Sequence, residues 1–209
     1  VQLGRPRHST LEISPPLPRL VAHPHAVANI LDRLGIQPSE QPVLAICPGA
    51  AFGPAKRWPP AYFAQIAQQQ LLRGWQVWLI GSQEDARITA EISGTGSPYL
   101  YDLAGRTRLE DVVDLLSVAS CVISNDSGLM HVAAAVDTPV IALFGSTSPK
   151  INPPLSPRAT ILWRELSCSP CHQRSCPLGH TNCLYELSVD RVQEALTRAT
   201  ETSIRVGAP

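Results

Sequence analysis

The stretch CVISNDSGLMHVAAAVDTPVIALFG, residues 121–145, decides the fold. CVISN is a short apolar run of the kind that forms a buried strand, SGLMHVAAAV has the length and composition of a helix, and PVIALFG is a second buried run. Strand, helix and strand in immediate succession predict parallel pairing through a crossover helix.

The same alternation extends upstream. AVANILDRLGI sets Val27, Ile30, Leu31 and Leu34 at helical spacing, with Gly35 where a C-cap belongs. VLAIC from residue 43 reads as a strand, AYFAQIAQQQLLRG as a helix ending on Gly74, and WQVWLIG as the next strand. A helix near Glu84 to Ile92, a short segment at Tyr99 to Leu103 and a helix from Leu109 to Ala119 complete the series. Downstream of Ser146 the chain is richer in Pro and Cys until VDRVQEALTRAT, where Val189, Val192 and Leu196 predict a terminal helix capped by Ser188. The expected fold class is α/β, a Rossmann-like parallel sheet flanked by helices.

The proline-rich segment Pro15 to Pro24 breaks regular hydrogen bonding and reads as a linker. Three parts are expected: residues 1–24 as linker or remnant of a preceding domain, 25–187 as the Rossmann-like domain, and 188–209 as C-terminal helix and tail. Val1 in place of Met, and strand-like scraps without a complete unit after it, lead us to expect a piece of a longer chain.

With 209 residues and 44% hydrophobic content the chain can bury a real core. Lys plus Arg equals Asp plus Glu at 17 each, so no whole-chain field attracts nucleic acid or an anionic membrane, and an anion site must be local. No apolar run approaches the roughly 18 to 20 residues of a spanning helix, nor is there a signal-peptide core. A cytoplasmic protein without a nucleic-acid partner is expected.

Three strand ends carry candidate chemistry. At Asn125-Asp126-Ser127-Gly128 a buried strand gives way at once to a helix, whose first-turn N–H groups lack internal partners and whose dipole favours an anion. Gly128 admits a phosphate without a Cβ, His131 can reach the same ligand, and Asp126 can accept from sugar or ribose hydroxyls. Equally, Asp126 or Ser127 could simply cap the helix, with His131 a satisfied core or surface histidine. The loop CPGAAFGPAKRWPPAYF contributes Gly49, Gly53, Lys56 and Arg57 at the carboxyl end of the first strand, where ligands of open α/β sheets bind. It holds neither GxGxxG nor GxxxxGK[ST], which argues against a dinucleotide fingerprint or a P-loop, and two solvated surface cations are the alternative. In GSQEDAR, Glu84 or Asp85 could bond a ribose or merely complement a helix dipole.

Four of the six cysteines form C-x2-C-x4-C-x6-C at Cys168, Cys171, Cys176 and Cys183, with His172 and His180 interleaved. Thiolates this close could hold a structural zinc ion or an iron–sulfur cluster, although the spacing matches neither the usual zinc ribbon nor the common ferredoxin runs. Free or redox-labile thiols are an equal alternative, and a reducing cytoplasm disfavours disulfides.

Taken together, ICPGAAFGPAKRWP, the GS-x-x-D segment, LAGRTRLEDVVDLLSVAS, SNDSGLMHVAAAVDTPVIALFGSTSP and CSPCHQRSCPLGHTNC resemble the C-terminal domain of type II lipopolysaccharide heptosyltransferases, in glycosyltransferase family 9. The resemblance covers nearly all of residues 43 to 200. It implies one half of a two-domain GT-B enzyme that binds ADP-L-glycero-D-manno-heptose and adds a second heptose to the lipopolysaccharide inner core. Carried over by motif, the phosphate-contacting lysine falls on Lys56, with Arg57 beside it. The aspartate, small hydroxyl residue, glycine and histidine fall on Asp126, Ser127, Gly128 and His131, and an acidic nucleoside ligand falls near Glu84.

The resemblance implies no cofactor for transfer, a nucleotide-sugar donor, and a lipopolysaccharide acceptor reached at the inner membrane surface. The family's catalytic base is an aspartate in a glycine-rich loop of the N-terminal domain, a loop this sequence does not contain. Donor binding without transfer is therefore expected. A nucleotide-sugar epimerase of related architecture and a metal-stapled interaction module are the alternatives.

Overall fold

The computed structural model describes residues 16–94 and 96–206, through which six strands run: β1 (Val43–Cys47), β2 (Gln76–Leu79), β3 (Leu100–Asp102), β4 (Cys121–Asn125), β5 (Val140–Phe144) and β6 (Ala159–Trp163). They form one sheet in the order β3-β2-β1-β4-β5-β6, every neighbouring pair parallel. The connecting helices are α1 (Pro24–Leu34), α2 (Pro60–Leu72), α3 (Ala86–Ser93), α4 (Leu109–Val118), α5 (Gly128–Ala135), α6 (Asn182–Tyr185) and α7 (Val189–Val206).

Helices cover both faces, which is why β1, β2, β4 and β5 are buried along their whole length and are apolar except for Gln76 at the start of β2 and Ser124 and Asn125 at the end of β4. Alternate residues of β1 serve opposite cores. Ala45 and Cys47 pack with Val27, Ile30, Leu115 and Met130 from α1, α4 and α5. Leu44 and Ile46 pack with Phe63, Ile66, Val192 and Leu196 from α2 and α7.

The expected α/β class and element order hold. Gly35 ends α1 in the left-handed region at φ 72°, and the Ser188 hydroxyl accepts from the Arg191 amide at the start of α7. Three features differ from expectation. Strand β6 and the one-turn α6 were not anticipated in the Pro- and Cys-rich stretch: ATILW is short, lies outside the strand–helix alternation upstream, and forms an edge strand with only Leu162 buried. The helix expected from Glu84 starts later, after a 3-10 turn at Gln83–Asp85 in which Asp85 bonds back to Ser82. Helix α1 begins at Pro24 rather than after it, since proline suits a first helical position. Residues 1–15 of the expected linker and 207–209 of the tail lie outside the described residues. Among the described residues no helix is long and apolar enough to cross a membrane.

In this strand order β1 and β4 are neighbours whose connections leave toward opposite edges, so their carboxyl ends flank a crevice. Fully buried Asn125, the last residue of β4, ties the two sides together. Its Oδ1 accepts from the Trp58 amide at 3.0 Å and its Nδ2 donates to the Pro48 carbonyl at 2.7 Å. Trp58, also buried, donates its indole N–H to the Leu187 carbonyl at 2.8 Å. The loop between Pro48 and Trp58 is thereby held at both ends. Asn125→Leu removes both partners at once and leaves a buried amide and carbonyl unsatisfied. Chemical denaturation is expected to show a loss of about 2–4 kcal/mol.

Candidate functional site

The crevice at the carboxyl ends of β1 and β4 has a volume of about 850 Å³. Its polar wall includes Lys56, Asp126, Ser127, Gly128 and His131, while Cys47, Ile80, Leu109 and Val112 line an apolar side. Lys56 ends a 3-10 turn, Pro54–Lys56, and Asp126 and Ser127 form the junction between β4 and α5. Two segments 70 residues apart in sequence meet there. Lys56 Nζ lies 2.6 Å from Asp126 Oδ2, with side chains only 13% and 2% exposed. Asp126 Oδ2 also accepts from Thr147 Oγ1 at 2.5 Å, and Oδ1 faces Asn152 Nδ2 at 3.4 Å.

The start of α5 is open. Ser127 stands at its N-cap in an extended conformation without a side-chain capping bond, and its hydroxyl lies 3.3 Å from that of Ser124. Among the alternatives left open by the sequence, capping by Ser127 is therefore not what occupies this end. A Cβ built on Gly128 would meet nothing within 4 Å, so the first turn presents its amides to free space.

Lys56, Asp126, Ser127, Gly128 and His131 are thus brought to one crevice. Arg57 and Glu84 are not among its lining residues. Arg57 turns back on its own loop, donating from Nη2 to the Ala50 carbonyl at 3.2 Å. Asp85, the neighbour of Glu84, reaches the crevice instead, with its carboxylate bonded to the Ser82 amide and hydroxyl at 2.9 and 2.8 Å. The Asp126 carboxylate faces Lys56, Thr147 and Asn152 rather than standing free for a sugar hydroxyl.

Sequence reasoning missed Phe52, Thr147 and Asn152. Phe52 lies 5.1 Å below Lys56 Nζ and 5.2 Å from the Arg174 guanidinium. Thr147 and Asn152 follow the carboxyl end of β5, and the general rule for open α/β sheets could have flagged them.

The cysteines divide into two groups. Burial pushes Cys47 and Cys121 up to about 12, helped at Cys47 by the charge of Asp85, so neither is a nucleophile at neutral pH. Cys168, Cys171, Cys176 and Cys183 line a second, small cavity with His180 and Ser146. Burial, and after it the charges of Cys171, Cys168 and Cys176, push Cys183 up to about 11. The Thr181 amide leads the contacts that hold Cys176 below its ordinary value. No group of three or more His, Cys, Asp or Glu among the described residues is placed to hold a metal ion as the chain stands. Of the alternatives the spacing left open, a structural metal at Cys168, Cys171, Cys176 and Cys183 finds no support among the described residues, where all four are free cysteines.

The sheet order and this crevice define an open, parallel α/β unit of the Rossmann-like kind, and comparison with known proteins narrows the class. The model of glycosyltransferase family 9 (heptosyltransferase) matches residues 14–182. Lipopolysaccharide heptosyltransferase 2 of Salmonella typhimurium is 40% identical over 162 residues, covering 76% of this chain and 47% of that protein. Lipooligosaccharide heptosyltransferase 2 of Haemophilus influenzae is 43% identical over 152 residues, covering 69% and 44%. The structure of E. coli ADP-heptose lps heptosyltransferase II superimposes with a TM-score of 0.78 at 34% identity, covering 88% of this chain and 54% of that one. The chain belongs to glycosyltransferase family 9. It spans about half the length of these relatives.

Two outcomes follow from the buried groups. Asp126→Ala strands the Lys56 ammonium and is expected to cost about 3 kcal/mol in denaturant unfolding, the low end for a broken buried pair because the lysine can swing into the crevice. In the folded chain Cys47 and Cys121 are expected to resist iodoacetamide at pH 8 and to react fully after denaturation, read by mass spectrometry.

Proposed function

We propose that this chain is the donor-binding, C-terminal half of a lipopolysaccharide heptosyltransferase, with ADP-heptose as its donor. The observation that carries the proposal is the 2.6 Å Lys56–Asp126 contact beside the uncapped start of α5. It puts an ammonium and a row of unpartnered amides on one side of a crevice large enough for a nucleoside diphosphate sugar. The apolar wall of Ile80, Leu109 and Val112 suits a nucleobase.

Transfer breaks the bond between the anomeric carbon and the diphosphate while the acceptor hydroxyl loses a proton. Lys56 and the amides at Ser127 and Gly128 stabilise the charge growing on the departing ADP, an electrostatic contribution often worth about 3 kcal/mol per preorganised donor. His131 stands within the same wall and contacts the donor. Asp126 holds Lys56 in place, so lysine and aspartate act as one unit. Arg57 braces the loop rather than touching the diphosphate, and Asp85 takes the ribose role assigned from sequence to Glu84.

Transfer requires no cofactor in this scheme. The general base belongs to the N-terminal half of the enzyme, which also carries most contacts to the lipopolysaccharide core acceptor. The enzyme works at the cytoplasmic side of the inner membrane as a peripheral protein. Membership of family 9 favours neither the epimerase nor the interaction-module alternative.

Calorimetric titration with ADP-heptose, ADP and UDP tests the proposal. ADP and ADP-heptose are expected to bind and UDP to bind more weakly. Lys56→Ala is expected to weaken ADP about 10- to 100-fold, the worth of one charge-assisted bond, and Gly128→Val to obstruct the same site with the fold intact. No ADP binding by a folded chain, or ADP binding indifferent to both substitutions, overturns it.

A further inference from the structure

The residues lining the crevice enter it from successive strands of the sheet, so its two ends differ in chemistry. At one end Ile80 and Asp85 follow β2, and Leu109 and Val112 follow β3. In the middle Lys56 follows β1, and Asp126, Ser127, Gly128 and His131 follow β4. Beyond β4 the lining has a single member among the described residues, Asn152, on the loop after β5. Neighbouring strands lie about 4.8 Å apart, so roughly 14 Å of sheet separates the level of β2 from that of β5. A nucleoside diphosphate sugar is a linear ligand whose parts come in a fixed order of base, diphosphate and sugar. Apolar wall, ammonium with uncapped helix start, and amide follow one another across the sheet in that same order. With the base on the wall and the diphosphate at Lys56, the ligand continues toward β5.

Asp126 is not available to a sugar at that end. Its Oδ2 is taken by Lys56 and Thr147, and its Oδ1 faces Asn152. Asn152 itself is exposed and only lightly engaged. A carboxamide offers two N–H donors and a carbonyl acceptor. Among the described residues the Asn152 side chain uses one N–H, at 3.4 Å from Asp126 Oδ1. The remaining N–H and the carbonyl oxygen form a donor and acceptor pair, which suits sugar hydroxyls because each of them both donates and accepts. The backbone fixes where this amide stands. The Ile151 and Asn152 amides donate to the carbonyl of buried Ser148 at 3.1 and 3.4 Å, and the Lys150 amide donates to the Ser148 hydroxyl at 3.2 Å. Pro153 then restricts the torsions of Asn152.

We infer that Asn152 recognises the sugar of the donor, hydrogen-bonding its hydroxyl groups while Lys56 and the start of α5 hold the diphosphate. The inference rests on the donor reading above and gives a role to the end of the crevice which that reading leaves unassigned. Its consequence is selective. Asn152 strengthens binding of the sugar-bearing donor and adds nothing to binding of free ADP, so the product is held less firmly than the substrate.

Paired calorimetric titrations of the chain with ADP-heptose and with ADP test this. The unaltered chain is expected to bind ADP-heptose more tightly than ADP. In Asn152→Ala, affinity for ADP-heptose is expected to fall about 3- to 10-fold, the worth of one hydrogen bond, while affinity for ADP stays within about 2-fold. Asn152→Leu keeps the side-chain volume, removes the amide, and is expected to show the same selective loss should the alanine variant prove unstable. Equal losses for the two ligands mean that Asn152 acts only by supporting Asp126, and overturn the inference. ADP binding retained with an unchanged preference for ADP-heptose, or with no such preference in the unaltered chain, overturns this inference alone. A folded, unaltered chain that binds neither ligand overturns the donor reading and this inference with it.

Discussion

Everything at the crevice depends on the two hydrogen bonds of Asn125. A loop leaving β1 would otherwise be free to wander, since Gly49, Gly53 and several prolines and alanines give it few side chains with which to anchor itself. Asn125 holds the Pro48 carbonyl at the start of that loop and the Trp58 amide at its end, and both bonds are out of reach of water. Between those fixed points the chain has little choice but to present Lys56 to the end of β4. The sheet order makes the contact possible, because only adjacency of β1 and β4 brings the two carboxyl ends within one residue's reach.

The buried pair of Lys56 and Asp126 is a second constraint of a different kind. An ammonium and a carboxylate taken out of water gain little net stability from one another. Thr147 and Asn152 supply the additional contacts that make the aspartate's burial tolerable. What the pair achieves is placement: a cation held beside the uncapped start of α5, on one wall of the crevice. Phe52 beneath the lysine adds an attraction that needs no further desolvation.

Much of this was legible beforehand. The runs VLAIC, CVISN and PVIALFG are buried on both faces, so they are apolar apart from Ser124 and Asn125 at the end of β4, and their assignment was direct. Edge strand β6 escaped because ATILW stands alone in a Pro- and Cys-rich stretch, with no helix on its approach to mark a crossover, and its pairing with β5 is what identifies it as a strand. That Lys56, Asp126, Ser127, Gly128 and His131 meet in one crevice was legible because they follow the carboxyl ends of β1 and β4, where open α/β sheets form their clefts. Arg57 and Glu84 were not resolvable from their neighbours. Adjacent residues on a loop or turn point in different directions, and which one faces the crevice depends on a torsion the sequence does not express.

The sequence by itself determined the parallel α/β layering, the helix start that opens at Ser127, and the presence of clustered thiols, because these follow from local periodicity and composition. Only the tertiary structure decided that Asn125 is a clamp, that Asp85 and not Glu84 reaches the crevice, and that Cys168 and Cys183 face one cavity. Each of those is a contact between segments far apart in the chain. Its existence depends on how sheet order and loop closure bring the segments together, a property no single stretch of residues contains.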